Sequence, residues 1–225
     1  PSDDDSRLMY GHGDRRFTSF STVRVVAGGQ AEDLPLLTRG NSAPTEQDGG
    51  LRTTWQLDGV AITQTLTPAN NPYTNRPDTV RIEVTAANTT DAPLSAGVRI
   101  MLDTMIGDND HAPFFVPGAG NFDTEREFTG DQLPAYWKAF EATDYDPASL
   151  KGQGILTGED ATRPDRLVFA TWPGIKDTSW DYTVNPNLSV GDSAVAMYWE
   201  PGELAPGASV TWVTYYGLAG VGGGN

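Results

Sequence analysis

Apolar and polar residues alternate with a period of two along most of the chain, and turn residues interrupt this pattern at short intervals. A period of two puts successive side chains on opposite faces, so it predicts β-strands rather than amphipathic helices. The clearest pair is 51–57 and 60–66, because the intervening Asp58-Gly59 suits a two-residue hairpin turn. Further strands are predicted at 20–26, 79–87, 94–102, 167–172, 194–199 and 210–216.

The segment from about residue 103 to residue 166 is less regular, and a short helical segment is predicted near 134–141. So many antiparallel strands must close into a barrel or pack as two sheets, because a single sheet leaves its apolar face uncovered. We favour two sheets, since this irregular segment breaks the even strand spacing of a barrel. The sequence therefore predicts an all-β, two-layer antiparallel β-sandwich with a loop-rich excursion in the middle of the chain. The predicted domain spans 7–219, between a polar leader at 1–6 and a Gly-rich tail at 220–225.

Composition narrows the class of protein further. The 225 residues include 15 basic and 30 acidic side chains, and the net charge of −15 repels phosphate backbones and anionic lipids. We therefore expect no nucleic-acid partner, and without a run of roughly 20 apolar residues we expect no membrane insertion. The chain has no cysteine, so it has no disulfide and no thiolate metal site. The acidic surface, few lysines and many Gly and Pro residues favour an extracellular or cell-surface location.

Three phrases carry a resemblance to known domains: VRIEVTAANTT at 80–90, VRIMLDT at 98–104 and LAPGASVTW at 204–212. They resemble large bacterial extracellular β-sandwich domains, either the sugar-mutarotase-like supersandwich or immunoglobulin-like accessory domains of secreted proteins. The resemblance implies a supersandwich-like fold. A mutarotase-type enzyme would also need a histidine and a carboxylate that converge in a cleft, and this chain offers only His12 and His111.

The densest chemical signal follows the strand predicted at 94–102, where Asp103, Asp108, Asn109 and Asp110 lie within eight residues of one another. Such closely spaced carboxylates repel each other, and a hard cation relieves the repulsion. Calcium prefers six to eight oxygen ligands in flexible geometry, so these four residues are predicted to bind Ca²⁺. A solvated acidic turn is the alternative, since Asp and Asn also stabilise turns by bonding to their own backbone.

Aromatic residues are concentrated in the later half of the chain. Exposed rings stack on the apolar faces of sugars, and the aromatics outside the clearest strands are the candidates for a carbohydrate-binding groove: Trp137, Trp172, Trp180 and Tyr182. The alternative is that these rings fill the core of a wide sandwich.

Two functions remain open at this stage. The first is a non-catalytic extracellular or cell-surface module for interaction or assembly, stabilised by calcium, whose partner is a glycan or another extracellular protein and which can self-associate. The second is a carbohydrate-binding or carbohydrate-active protein with an aromatic-lined groove and paired carboxylates. The first is favoured because no hydrolase motif is present, so no catalytic residue is predicted.

Overall fold

The structure is a computed structural model that describes residues 7–11, 18–39, 42–146, 149–158 and 160–220. These residues form fifteen strands, one α-helix and two 3-10 turns. The strands are β1 (Phe20–Ala27), β2 (Gln30–Pro35), β3 (Thr45–Gln47), β4 (Gly50–Leu57), β5 (Val60–Ala69), β6 (Thr79–Asn88), β7 (Leu94–Asp103), β8 (Phe114–Val116), β9 (Gly120–Phe122), β10 (Arg126–Thr129), β11 (Tyr136–Phe140), β12 (Lys151–Ile155), β13 (Arg166–Thr171), β14 (Ser193–Leu204) and β15 (Ser209–Leu218). Helix α1 spans Trp172–Asp177, and the 3-10 turns span Leu36–Thr38 and Gly130–Gln132.

The strands form two antiparallel sheets that pack face to face. One has six strands in the order β10-β13-β14-β7-β1-β2, and the other has nine in the order β3-β4-β5-β6-β15-β12-β11-β8-β9. This arrangement confirms the predicted all-β sandwich. The predicted hairpin is also formed, since Leu57 pairs with Val60, and Gly59 adopts a φ of 78°, as the turn between them requires.

The helical segment predicted near 134–141 is wrong, because the chain there forms strand β11. Trp137 and Ala139 are fully buried, whereas Tyr136 and Lys138 are partly exposed. This alternation suits a strand that lies between β12 and β8 with one face on the core. The middle of the chain therefore adds short strands to both sheets.

The core between the sheets depends on one close approach. The ring of Trp137 stacks on Tyr216 with 5.4 Å between their centroids, and it lies over the backbone of Gly154. A Cβ atom on that glycine would stand 2.2 Å from the Trp137 ring. Only glycine therefore fits opposite Trp137 in strand β12.

The outer face of the six-stranded sheet is covered by α1 and the residues that follow it. Ile175 and Trp180 pack there on Met101, Val168 and Tyr198. The fully buried Arg99 holds this segment by donating from Nη1 to the carbonyl oxygens of Ile175 and Thr178. The predicted strand at 167–172 accordingly stops one residue short, where α1 begins.

Some expectations concern residues outside those described. His12, the leader at 1–6 and residues 221–225 of the predicted tail all lie outside the described residues. Among the described residues, no helix is long and apolar enough to cross a membrane.

Candidate functional site: a cluster of three aspartates

Three aspartates meet at one edge of the six-stranded sheet, and we call them the acidic cluster: Asp103, Asp110 and Asp192. Asp103 ends strand β7 and pairs with Ala194 in β14, so it lies beside Asp192, which directly precedes that strand. The loop after β7 folds back to the same edge, where the Asp110 carbonyl accepts a hydrogen bond of 2.9 Å from the Ser193 backbone N–H. The pairing of β7 with β14 thus brings together residues far apart in sequence.

The carboxylates of the cluster are close together and incompletely hydrogen-bonded. Each aspartate offers one oxygen, and these three atoms lie within 4.8 Å of one another. The Asp103 residue is only 2% exposed, and the Oδ1 atoms of Asp103 and Asp110 are buried without a hydrogen-bond partner. Buried polar atoms in folded proteins nearly always have a partner, so these two oxygens call for an explanation.

The environment of the cluster disfavours negative charge. Burial, together with the charges of Asp192 and Asp110, raises the pKa of Asp103 to about 7, although a hydrogen bond from Thr18 acts in the opposite direction. Burial also raises the pKa values of Asp110 and Asp192. The three carboxylates therefore lack the positive charge that would stabilise their ionised forms.

His111 is a basic residue whose charge acts on the cluster. Its charge lowers the pKa values of Asp110 and Asp192, although by less than burial raises them. The ring also approaches the residue before Asp192, since a Cβ atom on Gly191 would lie 3.7 Å from His111 Nε2.

The backbone around the cluster is held by short hydrogen bonds. The Thr104 hydroxyl donates to the Ser193 carbonyl at 2.8 Å, and the Ser193 hydroxyl donates to the Thr104 carbonyl at 3.0 Å. On the other side, the Trp172 backbone N–H donates to the Asp192 carbonyl at 2.6 Å. The carboxylates thus project from a fixed frame, which lowers the cost of organising them around a ligand.

Two of the four predicted calcium ligands lie outside the cluster. The Asp108 side chain is 86% exposed and forms an ion pair of 3.6 Å with Arg7. The Asn109 side chain stabilises the turn instead, because its Nδ2 donates to the Glu141 carbonyl at 2.7 Å and its Oδ1 accepts from the His111 backbone N–H at 2.9 Å. The structure therefore brings Asp103 and Asp110 together with Asp192, which the sequence pattern did not indicate, and it places Asp108 and Asn109 outside the cluster.

The four aromatic residues predicted to line a sugar groove do not share one surface. Trp137 is fully buried between the sheets, and Trp180 is 1% exposed beneath the segment that covers the six-stranded sheet. Neither ring presents a free face to a sugar. Trp172 and Tyr182 are half-buried, and Trp172 Nε1 donates to the Thr18 carbonyl at 2.9 Å. These rings fill the fold, which was the alternative considered from the sequence.

Glu125 is a buried carboxylate that the fold uses fully. It is 0% exposed, and its Oε1 accepts hydrogen bonds from the Tyr182 hydroxyl at 2.5 Å and the Thr171 N–H at 3.1 Å. Its Oε2 accepts from the Asn185 N–H at 2.8 Å. Glu125 therefore anchors the segment that leads to Asp192, and it also belongs to the lining of a groove beside β10.

An open groove lies at the other end of that segment, beside strand β10. It has a volume of about 850 Å³ and is lined by Arg126, Glu127, Phe128, Asp131, Gln132 and Val184, among others. This volume falls within the usual range for ligand pockets, roughly 300–1,000 Å³. The mixed polar and apolar lining suits a small polar ligand.

Comparison with known proteins identifies the fold only. No family model and no curated protein matches the chain. Among solved structures, a protein described as a polysaccharide lyase matches with a TM-score of 0.54 and 12% identity, over 98% of this chain and 30% of that chain. A galactose mutarotase related enzyme from Lactobacillus acidophilus matches with a TM-score of 0.50 and 6% identity, over 88% of this chain and 78% of that chain.

The chain therefore shares its β-sandwich fold with a protein described as a polysaccharide lyase and with a galactose mutarotase related enzyme. The chain spans only 30% of the length of the polysaccharide lyase that it resembles. The acidic cluster is the feature of this sandwich with the clearest chemistry.

Proposed function

We propose that the chain is a non-catalytic extracellular module of a carbohydrate-related protein, stabilised by a calcium ion that Asp103, Asp110 and Asp192 bind. The single observation that carries the proposal is the pair of buried, unpartnered oxygens, Asp103 Oδ1 and Asp110 Oδ1, within the cluster. Both oxygens would coordinate a bound cation, and its positive charge would offset the mutual repulsion of the three carboxylates.

The ligand chemistry favours calcium among common cations. All three side chains are carboxylates, which suit hard cations, and calcium tolerates irregular geometry on a loop. Three carboxylates can supply up to six oxygens, so water completes the ligand set where one of them binds through a single oxygen. Magnesium demands stricter octahedral geometry, and it serves as the comparison ion in the experiments.

Burial supports a structural role for this ion. Asp103 is 2% exposed, so a substrate has little access to its carboxylate. The ion would instead join β7, β14 and the loop between Asp103 and Asp110, which are the elements that meet at this edge. Binding to the native state alone stabilises a protein by mass action, by about 2.7 kcal/mol when the free ion is at 100 times its Kd.

Thermal unfolding in calcium, magnesium and a chelator tests the proposal. We expect the midpoint of the wild-type protein to rise in calcium and to fall in chelator, and we expect Asp192→Asn to remove most of this difference. Asp108→Asn is the matched control, since Asp108 is exposed and lies outside the cluster. Identical midpoints in calcium and chelator, or an equal calcium effect in Asp192→Asn and the wild type, would contradict the proposal.

Glycan binding is the second candidate function, and the groove beside β10 favours it. Gln132 and Asp131 supply polar groups that can bond to sugar hydroxyls, and Phe128 and Val184 supply apolar surface. A glycan array followed by Gln132→Ala tests this function. Binding that Gln132→Ala weakens would support the groove, whereas an array without any binding would reject it.

A further inference from the structure

The outer face of the nine-stranded sheet carries a second group of polar and aromatic residues, which we call the outer-face site: Tyr73, Tyr136, Lys138 and Gln153. Lys138 in β11 pairs directly with Gln153 in β12, so their Cβ atoms are about 5 Å apart. Both side chains point away from the core, because their neighbours Trp137 and Gly154 face each other inside it.

Gln153 has a hydrogen-bonding amide that the fold leaves unused. The residue is only 4% exposed, yet its side chain forms no hydrogen bond with any part of the chain that the structure describes. An amide of this kind has two N–H donors and one acceptor, and neither of its polar atoms is among the fully buried ones that lack a partner, so the amide reaches the surface of the sheet. A ligand that accepts a hydrogen bond can therefore contact it there.

Lys138 provides a positive charge that no carboxylate neutralises among the described residues. Burial lowers the pKa of Lys138, and the charge of Lys151 lowers it further. Two acids of the same face, Glu83 and Asp160, are both paired with Arg81 and are not available to Lys138. The chain has 30 acidic and 15 basic residues, so an ammonium group without a carboxylate partner is unusual in it. Such a group suits an external anion.

Two tyrosines complete the site. Tyr73 is 51% exposed, and its ring meets that of Tyr136 edge-on with centroids 5.3 Å apart. The Lys138 Nζ atom lies 5.5 Å from the centroid of Tyr136. An exposed aromatic ring beside a charged group can contact the apolar face of a sugar while the charge binds an acidic substituent.

We propose that the outer-face site binds an acidic saccharide, with the sugar carboxylate on Lys138 and Gln153 and the sugar ring on Tyr73. The inference rests on the second candidate function, glycan binding, and adds the class of saccharide and a different position for it. Lys138 contributes a charge-assisted hydrogen bond to the carboxylate, which is about twice as strong as a neutral one. Gln153 donates a second hydrogen bond from its otherwise unused amide.

The groove beside β10 is less suited to an acidic saccharide. Its lining contains three carboxylates, those of Glu125, Glu127 and Asp131, against the single cation Arg126. These acids repel a carboxylate-bearing sugar, although they can bond to the hydroxyls of a neutral one. Arg126 is therefore the cation whose removal separates the two sites experimentally.

Calorimetric titration at low ionic strength tests the inference, with oligogalacturonate as the acidic probe, its methyl-esterified form as the neutral probe and dextran sulfate as the second anion. We expect the wild-type chain to bind oligogalacturonate, and methyl esterification to weaken binding at least tenfold. Lys138→Gln and Tyr73→Ala should each weaken binding at least tenfold. Arg126→Gln and Lys176→Gln are the controls, since Lys176 already pairs with Asp177 at 3.1 Å.

Three results would overturn the inference: no binding of oligogalacturonate, equal binding by Lys138→Gln and the wild type, or binding of dextran sulfate alone. Unfolding midpoints of the variants show that each is folded before it is titrated. Failure here is distinguishable from failure of the proposed function, because calcium stabilisation is measured without glycan. If oligogalacturonate does not bind but a neutral glycan does, and Gln132→Ala weakens that binding, the glycan site is the groove beside β10 and the outer-face site is rejected.

Discussion

Asp103→Asn removes one negative charge from the acidic cluster. The side chain keeps its size but loses its charge, in a position that is 2% exposed. Burial raises the pKa of Asp103 from 3.8 to about 7 in the folded protein. Ionised Asp103 therefore destabilises the cation-free fold, and the variant removes this cost.

The magnitude follows from the shift. One pKa unit corresponds to about 1.4 kcal/mol, so ionised Asp103 costs roughly 4 kcal/mol of folding free energy once the pH exceeds its folded-state pKa. The buried asparagine amide, with imperfect hydrogen bonds, destabilises the variant by about 1 kcal/mol, which reduces the stability gained by removing the charge. The net expectation at pH 8 in chelator is a variant about 3 kcal/mol more stable than the wild type, or roughly 6–12 °C in the unfolding midpoint for a chain of this size.

The dependence on pH has a definite sign. A raised carboxylate pKa means that the folded state binds more protons than the unfolded state between pH 3.8 and about 7. The stability of the wild type therefore falls as the pH rises through this window. The difference between the variant and the wild type should be small near pH 3.8, should grow through the window and should be complete at pH 8.

The assay is chemical or thermal unfolding at several pH values, with chelator and with calcium. We expect Asp103→Asn to be the more stable protein in chelator at pH 8, and calcium to stabilise the wild type far more than the variant. Asp108→Asn, at an exposed position, should match the wild type under all conditions. A variant that is less stable than the wild type in chelator at pH 8 would refute the reasoning.

The remaining predictions concern how the fold is held. Gly154→Ala should lower the unfolding free energy by about 1–3 kcal/mol, because its Cβ atom would collide with the Trp137 ring at 2.2 Å; an unchanged midpoint in denaturant unfolding would contradict this packing. Glu125→Ala should cost about 3 kcal/mol or more, since it leaves the Tyr182 hydroxyl and the Asn185 N–H without their acceptor. The substitution should also increase proteolytic cleavage within 178–190. If the variant resists protease as well as the wild type does, Glu125 does not anchor this segment.

The sequence predicts the sandwich well where local signals agree with the fold. The alternation in 51–57 and 60–66 and the Asp58-Gly59 turn agree with each other, and β4 and β5 form as expected. The prediction is incomplete for the middle of the chain because the strands there are short, from three to five residues. Strands of this length show too few alternations to be told from a helical turn, as at 134–141.

The candidate site could be predicted only in part. Asp103 and Asp110 follow a clear strand and lie close together in sequence, which a local pattern reveals. Asp192 reaches them only through the pairing of β7 with β14, and no local pattern specifies that register. The aromatic prediction fails for a related reason, since Trp137 and Trp180 are buried by elements distant in sequence.

The most direct test of the central claim is a calorimetric titration of the chelator-treated protein with calcium at pH 8. The account predicts one calcium ion per chain, a loss of this binding in Asp192→Asn and its retention in Asp108→Asn. Binding that survives Asp192→Asn but disappears in Asp108→Asn would place the ion on the exposed turn and contradict the account, and so would the absence of any calcium binding.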